Sequence, residues 1–524
     1  MITAHTAEAV REAEEPLLAA GVPLMERASF ALSTAIAREL RAREQPVSGA
    51  RVLLLVGGGN NGGDALHAGA YLARRGCAVR AALLAPEARV HPAGLSAARR
   101  AGVQVEQVAG EDGLVSLAAS HPVWVDGLTG IGASGGLRSP LAEAVEALTD
   151  RAAELRRVGS PPLIVAVDVP SGIGVDDGSL PGPVLPADLT VTMGAVKAGL
   201  VLPPAAPLAG RIEVVDLGLE LGEAEAMSLE EGDAAARWPV PGTADHKYTR
   251  GVLGVAAGSA TYPGAAVLTV AGALATGPGM VRYLGAPSVS AAVLGAYPEV
   301  VAGSGRVQAW VLGPGVDPDD EIRLEELAEY RDAAAEAGVP VIFDAGGLSL
   351  LHEREVKAEG PTVITPHAGE LAALLTARGN DVARAEVDAA PAAHARRAAQ
   401  LTGAVVLLKG SATVIAAPDG PRYVQAEATG WLATAGAGDV LAGVLGTLAT
   451  AAQSTAEAGH RRVTARELAD VAALAVFVHG RAARRAAGLP PHALPAAAGG
   501  PAGHPLRAGD VAAALPAVIG ELLG

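Results

Sequence analysis

Cysteine is almost missing. A single Cys77 in 524 residues leaves no disulfide framework and points to a reducing compartment, so a cytoplasmic location is expected. Aromatic residues make up only 3%, and Lys+Arg 40 against Asp+Glu 56 give a net charge of -16. A chain this acidic repels nucleic acid and anionic membrane surfaces, so neither is expected as a partner, and anionic small ligands must be held by local donors. The first residues, Met1 to Thr6, lack a basic segment leading into an apolar core, so no secretion signal is expected. Residues 251–281 carry no charge, yet Gly and Ala dominate them and Pro263 and Pro278 interrupt them. They fit strand, loop and buried helix better than a bilayer span. The pattern G-x-x-x-x-G-K-[ST] is also absent, which excludes a P-loop enzyme.

The length exceeds what one hydrophobic core usually spans, and 50% apolar residues mark a globular chain, so two domains are expected. In the first half, residues 7–45 hold helical periodicity and Arg51–Val56 reads as a buried parallel strand. It ends in Gly57-Gly58-Gly59-Asn60-Asn61-Gly62-Gly63-Asp64, with a helix expected over residues 65–75. Gly57, Gly59 and Gly62 match the dinucleotide pattern G-x-G-x-x-G. Two amides and a carboxylate are unusual in such a loop, and they add oxygen ligands suited to a hard cation. Two later strands end in Asp126 and in Asp168-Val169-Pro170-Ser171-Gly172. Ligands of open α/β sheets bind at the carboxyl ends of strands, so Asn60, Asn61, Asp64, Asp126, Asp168 and Ser171 are expected in one crevice. Gly130-Ile131-Gly132-Ala133-Ser134-Gly135-Gly136 adds a flexible backbone cradle. Each Asp taken alone would serve equally as a turn former at a strand end.

GGGNNGGD, Asp126 and DVPSG together closely resemble the YjeF N-terminal domain, the NAD(P)H-hydrate epimerase, over about residues 1–218. The resemblance implies that Asn60, Asn61, Gly62, Gly63 and Asp64, with Gly130 to Gly136, line the hydrated nicotinamide nucleotide. It further implies K+ ligands at Asn61, Asp126 and Ser171, and an acid/base residue at Asp168 acting on carbon 6 of the ring. Ala65 stands where that family often has another Gly, a change expected to be tolerated at a helix start.

Residues 219–242 turn acidic and then Pro-containing, which reads as a linker, and a second domain is expected over 243–524. Strands again alternate with helices and end in polar or glycine groups. These ends are Gly313-Pro314-Gly315, Asp344, Thr365-Pro366-His367-Ala368-Gly369-Glu370 and Lys409-Gly410-Ser411-Ala412-Thr413. The turn Ala433-Thr434-Ala435-Gly436-Ala437-Gly438-Asp439 runs into an apolar helix, where free backbone N–H groups and the helix dipole favour a phosphate or an oxyanion. A carboxylate at that mouth would repel the anion, so Asp439 makes sense as a base beside an anion hole, although an N-cap would look the same. His367 after a Pro equally suits a hydrogen-bonded turn, and Lys409 a solvated charge. Residues 451–464 and 489–504 read as surface excursions before a closing helix.

GSATYPGAA, GPG, TPHAGE, KGSAT and ATAGAGD closely resemble the ribokinase-like NAD(P)H-hydrate dehydratase over about residues 243–515. That resemblance implies an adenine nucleotide held by Lys409, Gly410, Ser411, Ala412, Thr413 and Gly438. Ala265, Gly315, His367 and Asp439 would contact the hydrated nicotinamide nucleotide. ADP is the implied co-substrate, Mg2+ is expected for phosphoryl transfer, and a homo-oligomer is a family-level expectation. GAGD replaces the commoner GTGD, and Asp344-Ala345-Gly346-Gly347-Leu348 replaces DADAL, which removes a carboxylate at Gly346. The fold expected is α/β, a Rossmann-like doubly wound sheet followed by a ribokinase-like α/β domain. Three alternatives remain at this point: a ribokinase-like vitamin-precursor kinase fused to a non-catalytic nucleotide-binding module, a binding scaffold like those of mRNA decapping, and a plain NAD dehydrogenase.

Overall fold

A computed structural model describes residues 1–524 except 109, 133–134, 354–356 and 492–501. Ala133 and Ser134 of the expected glycine cradle, and most of the expected excursion over 489–504, therefore lie outside the described residues. The chain divides into two compact units, Thr3–Ala226 and Met227–Gly524, the latter joined by Met1–Ile2.

The N-terminal unit runs β1 (Ile2–His5), α1 (Ala7–Ala19), α2 (Leu24–Ala42), β2 (Arg51–Val56), α3 (Asn60–Arg74), β3 (Ala78–Leu83), α4 (Pro92–Arg100) and β4 (Gln104–Gln107). It continues with α5 (Glu111–Ala119), β5 (Val123–Gly127), α6 (Leu141–Arg157), β6 (Leu163–Val167), β7 (Leu189–Met193), β8 (Val196–Lys197) and β9 (Arg211–Val215). Seven strands form a parallel sheet in the order β4-β3-β2-β5-β6-β7-β9. Strands β2, β5 and β6 are apolar and almost wholly buried, as a sheet covered on both faces requires. The chain walks outward from β2 to β4 and then returns to β5 on the other side of β2. The gap above β2 and β5 is therefore the topological switch point, where open α/β sheets bind ligands. Expected as a doubly wound sheet, the unit is one.

The C-terminal unit opens with β10 (Ala226–Ser228) and α7 (Glu231–Arg237), followed by β11 (Val252–Ala256), α8 (Pro263–Thr276), β12 (Met280–Tyr283), α9 (Pro287–Ala296) and β13 (Val301–Ala302). Then come β14 (Ala309–Leu312), α10 (Glu321–Ala337), β15 (Val341–Phe343), β16 (Thr362–Ile364), α11 (Ala368–Ala377), α12 (Arg384–Ala389) and α13 (Pro391–Thr402). Strands β17 (Val405–Leu408), β18 (Thr413–Ala416) and β19 (Arg422–Gln425) precede α14 (Ala437–Ala458), α15 (Ala465–Ala486) and α16 (Ala508–Leu522). Its strands lie in the order β13-β12-β11-β14-β15-β16-β17-β18-β19, parallel up to β17 and antiparallel in the last two pairings. A second switch point falls between β11 and β14. Among the described residues no helix is long and apolar enough to cross a membrane.

The expected excursion at 451–464 is corrected: α14 continues through Ala458 with Gln453 and Ala456 buried, because an Ala-rich stretch extends a helix readily. Helices α8 and α14 meet backbone to backbone. A Cβ on Gly443 would lie 2.0 Å from the Thr269 carbonyl oxygen, and one on Gly272 would lie 2.3 Å from that of Val440. Gly443→Val is expected to push the helices apart and to cost about 3 kcal/mol, seen as a lower denaturant midpoint.

Candidate functional site

Each unit carries a cavity at the carboxyl ends of its strands. In the N-terminal unit it measures about 670 Å³ and opens above β2 and β5. Helix α3 begins at Asn60 rather than at Ala65, with Gly59 as its N-cap at φ 87°. The Asn-Gly run that looks like a loop is thus the first helical turn. The N–H groups of Asn60, Asn61 and Gly62 have no intrahelical acceptor and face the switch point. Glycine is required at Gly57 because β5 comes so close: a Cβ there would lie 1.9 Å from the Leu128 carbonyl oxygen. Ala65 is fully buried, and its methyl meets Gly127, whose missing side chain makes room for it.

Asp168 lines this cavity in the left-handed backbone region at φ 67°, a conformation that a non-glycine residue holds only when its surroundings impose it. One carboxylate oxygen, Oδ1, accepts from Thr192 Oγ1 at 3.1 Å, from the Met193 N–H at 3.0 Å and from Lys197 Nζ. Among the described residues nothing is seen to donate to Oδ2. Lys197 is 1% exposed and also donates to the Met193 carbonyl at 2.7 Å. The carboxylate is therefore held through one oxygen, at the wall of the cavity. Asp64 and Glu14 line the same cavity. Burial pushes Asp64 up to about 7, and the neighbouring Asp168 and Glu14 carboxylates add to the shift. Burial raises Glu14 as well.

Asp126 is completely buried and accepts from the Ser171 N–H at 2.8 Å, from Ser171 Oγ at 2.7 Å and from the Leu128 N–H at 3.2 Å. Ser171 Oγ accepts in turn from the Thr129 N–H at 3.0 Å, and Asn61 Nδ2 donates to the Thr129 carbonyl at 2.7 Å. The three side chains expected around K+ thus belong to one oxygen-rich network. Burial raises the Asp126 pKa, and its hydrogen-bond partners are all neutral, so this donor set suits a hard monovalent cation.

The C-terminal cavity, about 700 Å³, is lined by Lys409, Gly410, Ser411, Thr413, Gly438 and His367 among others. Gly436, left-handed at φ 87°, caps α14, so Ala437, Gly438 and Asp439 form its first turn. A Cβ on Gly438 would lie 3.5 Å from Lys409 Nζ. Asp344 Oδ1 accepts from Lys409 Nζ at 2.8 Å and from Thr365 Oγ1 at 2.7 Å. Burial pushes Asp439 up to about 6, and repulsion from Asp344 outweighs the attraction of Lys409 in the same direction. Burial opposes the Lys409 charge, but the carboxylates of Asp344, Glu370 and Asp439 more than compensate and raise its pKa. His367 Nδ1 accepts from the Gly369 and Glu370 N–H groups at 3.0 and 3.1 Å, so the ring caps α11 while it lines the cavity. Ala265 and Gly315 meet each other at the second switch point, where a Cβ on Gly315 would lie 2.3 Å from that of Ala265.

One family model, described as YjeF-related protein N-terminus, matches residues 21–199, and another, described as NAD(P)H-hydrate dehydratase, matches residues 253–495. The bifunctional NAD(P)H-hydrate repair enzyme Nnr of Mycobacterium tuberculosis is 44% identical over 467 residues, covering 87% of this chain and 90% of that one. This chain belongs to the bifunctional NAD(P)H-hydrate repair enzyme family. Its first part is also 45% identical, over 225 residues, to the NAD(P)H-hydrate epimerase of Clavibacter michiganensis subsp. michiganensis, which covers 42% of this chain and 92% of that one. A solved ADP/ATP-dependent NAD(P)H-hydrate dehydratase from Bacillus subtilis, co-crystallised with ATP/Mg2+, overlays with a TM-score of 0.46 at 25% identity, covering 56% of this chain and 98% of that chain.

Against the commoner family pattern, Gly346 is explained by packing. A Cβ there would lie 2.3 Å from the Val316 carbonyl oxygen, so the backbone occupies the space an Asp side chain would need. Sequence reasoning passed over three residues that bear on the two cavities: Lys197 is a buried ion-pair member, Gln425 ends a strand and His479 sits in mid-helix. Asp344, read from the sequence only as a strand end, is a buried ion-pair partner of Lys409.

Proposed function

We propose that the N-terminal unit interconverts the R and S epimers of hydrated NADH and NADPH, and that the C-terminal unit dehydrates the S epimer at the expense of ADP. The products are NAD(P)H, AMP and phosphate. The observation that carries the reading is the pairing, in one chain, of two separate strand-end sites with two differently held carboxylates. Asp168 is pinned by a buried lysine, and Asp439 is raised to about 6 at a helix mouth.

In the first site, Asn60 to Asp64 and Gly130 to Gly136 hold the nucleotide, and Asp168 Oδ2 moves the proton for the change at carbon 6. Asn61, Asp126 and Ser171 would hold K+, which supplies the positive charge that the buried Asp126 otherwise lacks.

In the second site, Lys409 to Thr413 and Gly438 hold ADP, while Ala265, Gly315, His367 and Asp439 contact the hydrate. Asp439 accepts the hydroxyl proton as the hydrate oxygen attacks the β-phosphorus and AMP leaves. The N–H groups at the start of α14 face the charge on the transferring phosphoryl group. Loss of phosphate from carbon 6 together with a neighbouring ring proton then restores the dihydropyridine. Mg2+ supplies further countercharge. Among the described residues no group of three or more His, Cys, Asp or Glu side chains is placed to hold a metal. Domains over 1–218 and 243–524, a cytoplasmic location and a homo-oligomer, the last testable by light scattering, complete the reading.

The test is recovery of reduced-nicotinamide absorbance from mixed hydrate epimers with Mg2+, K+ and either ADP or ATP. Complete recovery with ADP is expected. A stop at one epimer's share would mean that the N-terminal unit is silent, and no recovery with either nucleotide would favour a small-molecule kinase.

A further inference from the structure

Arg11, Glu14 and Leu18 all line the N-terminal cavity, and their i, i+3, i+7 spacing puts them on one face of α1. No motif in the sequence marks this helix. Its start is tied to the segment that follows β6 and Asp168, since the Ala7 N–H donates to Asp176 Oδ1 at 2.7 Å. Ala7 and Val10 are buried, while Arg11 is exposed and its Nη2 donates to the Ile131 carbonyl at 2.8 Å. Among the described residues Arg11 Nε and Nη1 have no hydrogen-bond partner. Two residues before Ile131, the Thr129 carbonyl accepts from Asn61 Nδ2 at 2.7 Å, and a Cβ on Gly130 would lie 3.1 Å from that of Asn61. Residues 129–131 thus bring the first turn of α3 and the Arg11 guanidinium together at one edge of the cavity. The same wall carries the carboxyls of Glu14, Asp64 and Asp168, and among the described residues Arg11 is the one lysine or arginine that lines it. Lys197 is 1% exposed and committed to Asp168. A ligand bearing phosphate therefore meets three carboxyls here and one accessible cation, and a guanidinium with unused N–H groups is the donor that suits it.

We propose that Arg11 binds the 5′-phosphate on the nicotinamide ribose of the hydrate, and so makes the first site select nucleotides over nucleosides. The inference rests on the reading that this cavity holds the hydrated nicotinamide nucleotide. Nη2 stays on the Ile131 carbonyl while Nε and Nη1 serve the phosphate oxygens. The bond to Ile131 already orders the side chain, so less of its rotamer freedom remains to be lost on binding. The phosphate concerned is the one nearest the ring, because Arg11 lines one cavity with Asp168, the residue that acts at carbon 6. Without the guanidinium, that phosphate would enter a wall whose charged groups are all acidic.

The test compares epimer exchange by the full chain on hydrated NADH, hydrated reduced nicotinamide mononucleotide and hydrated reduced nicotinamide riboside, followed by chromatography. In the wild-type chain kcat/KM for the mononucleotide is expected to exceed that for the riboside on the order of thirtyfold. In Arg11→Met this advantage should shrink to a few-fold, through KM rather than kcat, and hydrated NADH should lose the same factor as the mononucleotide. Arg11→Lys, which keeps the charge but not the fork, should retain part of the advantage. An equal loss on all three substrates, the mark of a residue that only holds the 129–131 segment, overturns the inference and leaves the epimerase reading standing. So does a wild-type chain that treats mononucleotide and riboside alike. So does a loss on hydrated NADH with none on the mononucleotide, which would put Arg11 at the adenosine side. Failure of the wild-type chain to speed exchange of any of the three overturns both. Arg11→Gln should behave as Arg11→Met does, and decides alone should the first variant fail to fold.

Discussion

Asp439→Asn is expected to slow ADP-dependent dehydration by about 10³-fold while R and S epimers continue to interconvert. The amide keeps the shape of the carboxylate and still suits the start of α14, but it cannot accept the hydroxyl proton. Stability should hold, because the substitution removes a buried charge that Asp344 repels. The pH profile supplies a second signature. With Asp439 raised to about 6, its base form is lost as pH falls through that value, so wild-type kcat/KM should decline on the acid side of pH about 6. Residual activity in the variant should lack this limb. Steady-state rates on the pure S epimer measure the effect, and chromatographic separation of the epimers follows their exchange. If the variant lost epimerisation with its fold intact, the assignment of the two reactions to two separate sites would be wrong.

Asp168→Asn is expected to abolish epimer interconversion, a loss of about 10³-fold or more, while dehydration of the S epimer proceeds. Mixed hydrates would then be repaired only up to the S share. This variant also carries a structural cost that Asp439→Asn does not. Lys197 is 1% exposed and would keep its charge with a neutral amide where the carboxylate was, which costs about 3–5 kcal/mol. Adding Lys197→Met separates the two effects: stability should return, and epimerisation should not. Return of epimerisation in the double variant would remove Asp168 from the chemistry and leave it a partner for Lys197.

The alternation of apolar runs with helical segments made both α/β units legible, and the strand Arg51–Val56 lies where its hydrophobicity puts it. Asp126 and Asp168 were legible as strand-end groups for the same reason, since position at a strand end is a local property; Asp168 lines the N-terminal cavity, whereas Asp126 is completely buried against Ser171. The start of α3 was not. A run of Asn and Gly has low helix propensity, and it is tertiary contacts, the close packing of Gly57 and Gly62 against neighbouring backbone and the Asn61 bond to the Thr129 carbonyl, that accompany a helical turn from Asn60. Lys197 escaped for a different reason, because a lysine two residues beyond Ala195 looks solvated until β8 pairs with β1 and places it under Asp168. Gln425 and His479 are brought to one cavity wall by β19 and α15, and nothing in the intervening residues records that meeting. Gly346 shows the reverse: the motif change was plain in the sequence, and its steric reason lies in the Val316 backbone.

Asp64 gives the N-terminal cavity a further character. With its carboxyl raised to about 7 by burial beside Asp168 and Glu14, Asp64 is partly protonated at neutral pH. A nucleotide that displaces solvent from that carboxyl changes the fraction, so binding is expected to exchange protons with the medium. The measured heat of filling the cavity will then include the ionisation heat of the buffer, and will differ between buffers at the same pH. Hydrogen ion is in this sense a second ligand of the site, and its activity sets part of the affinity.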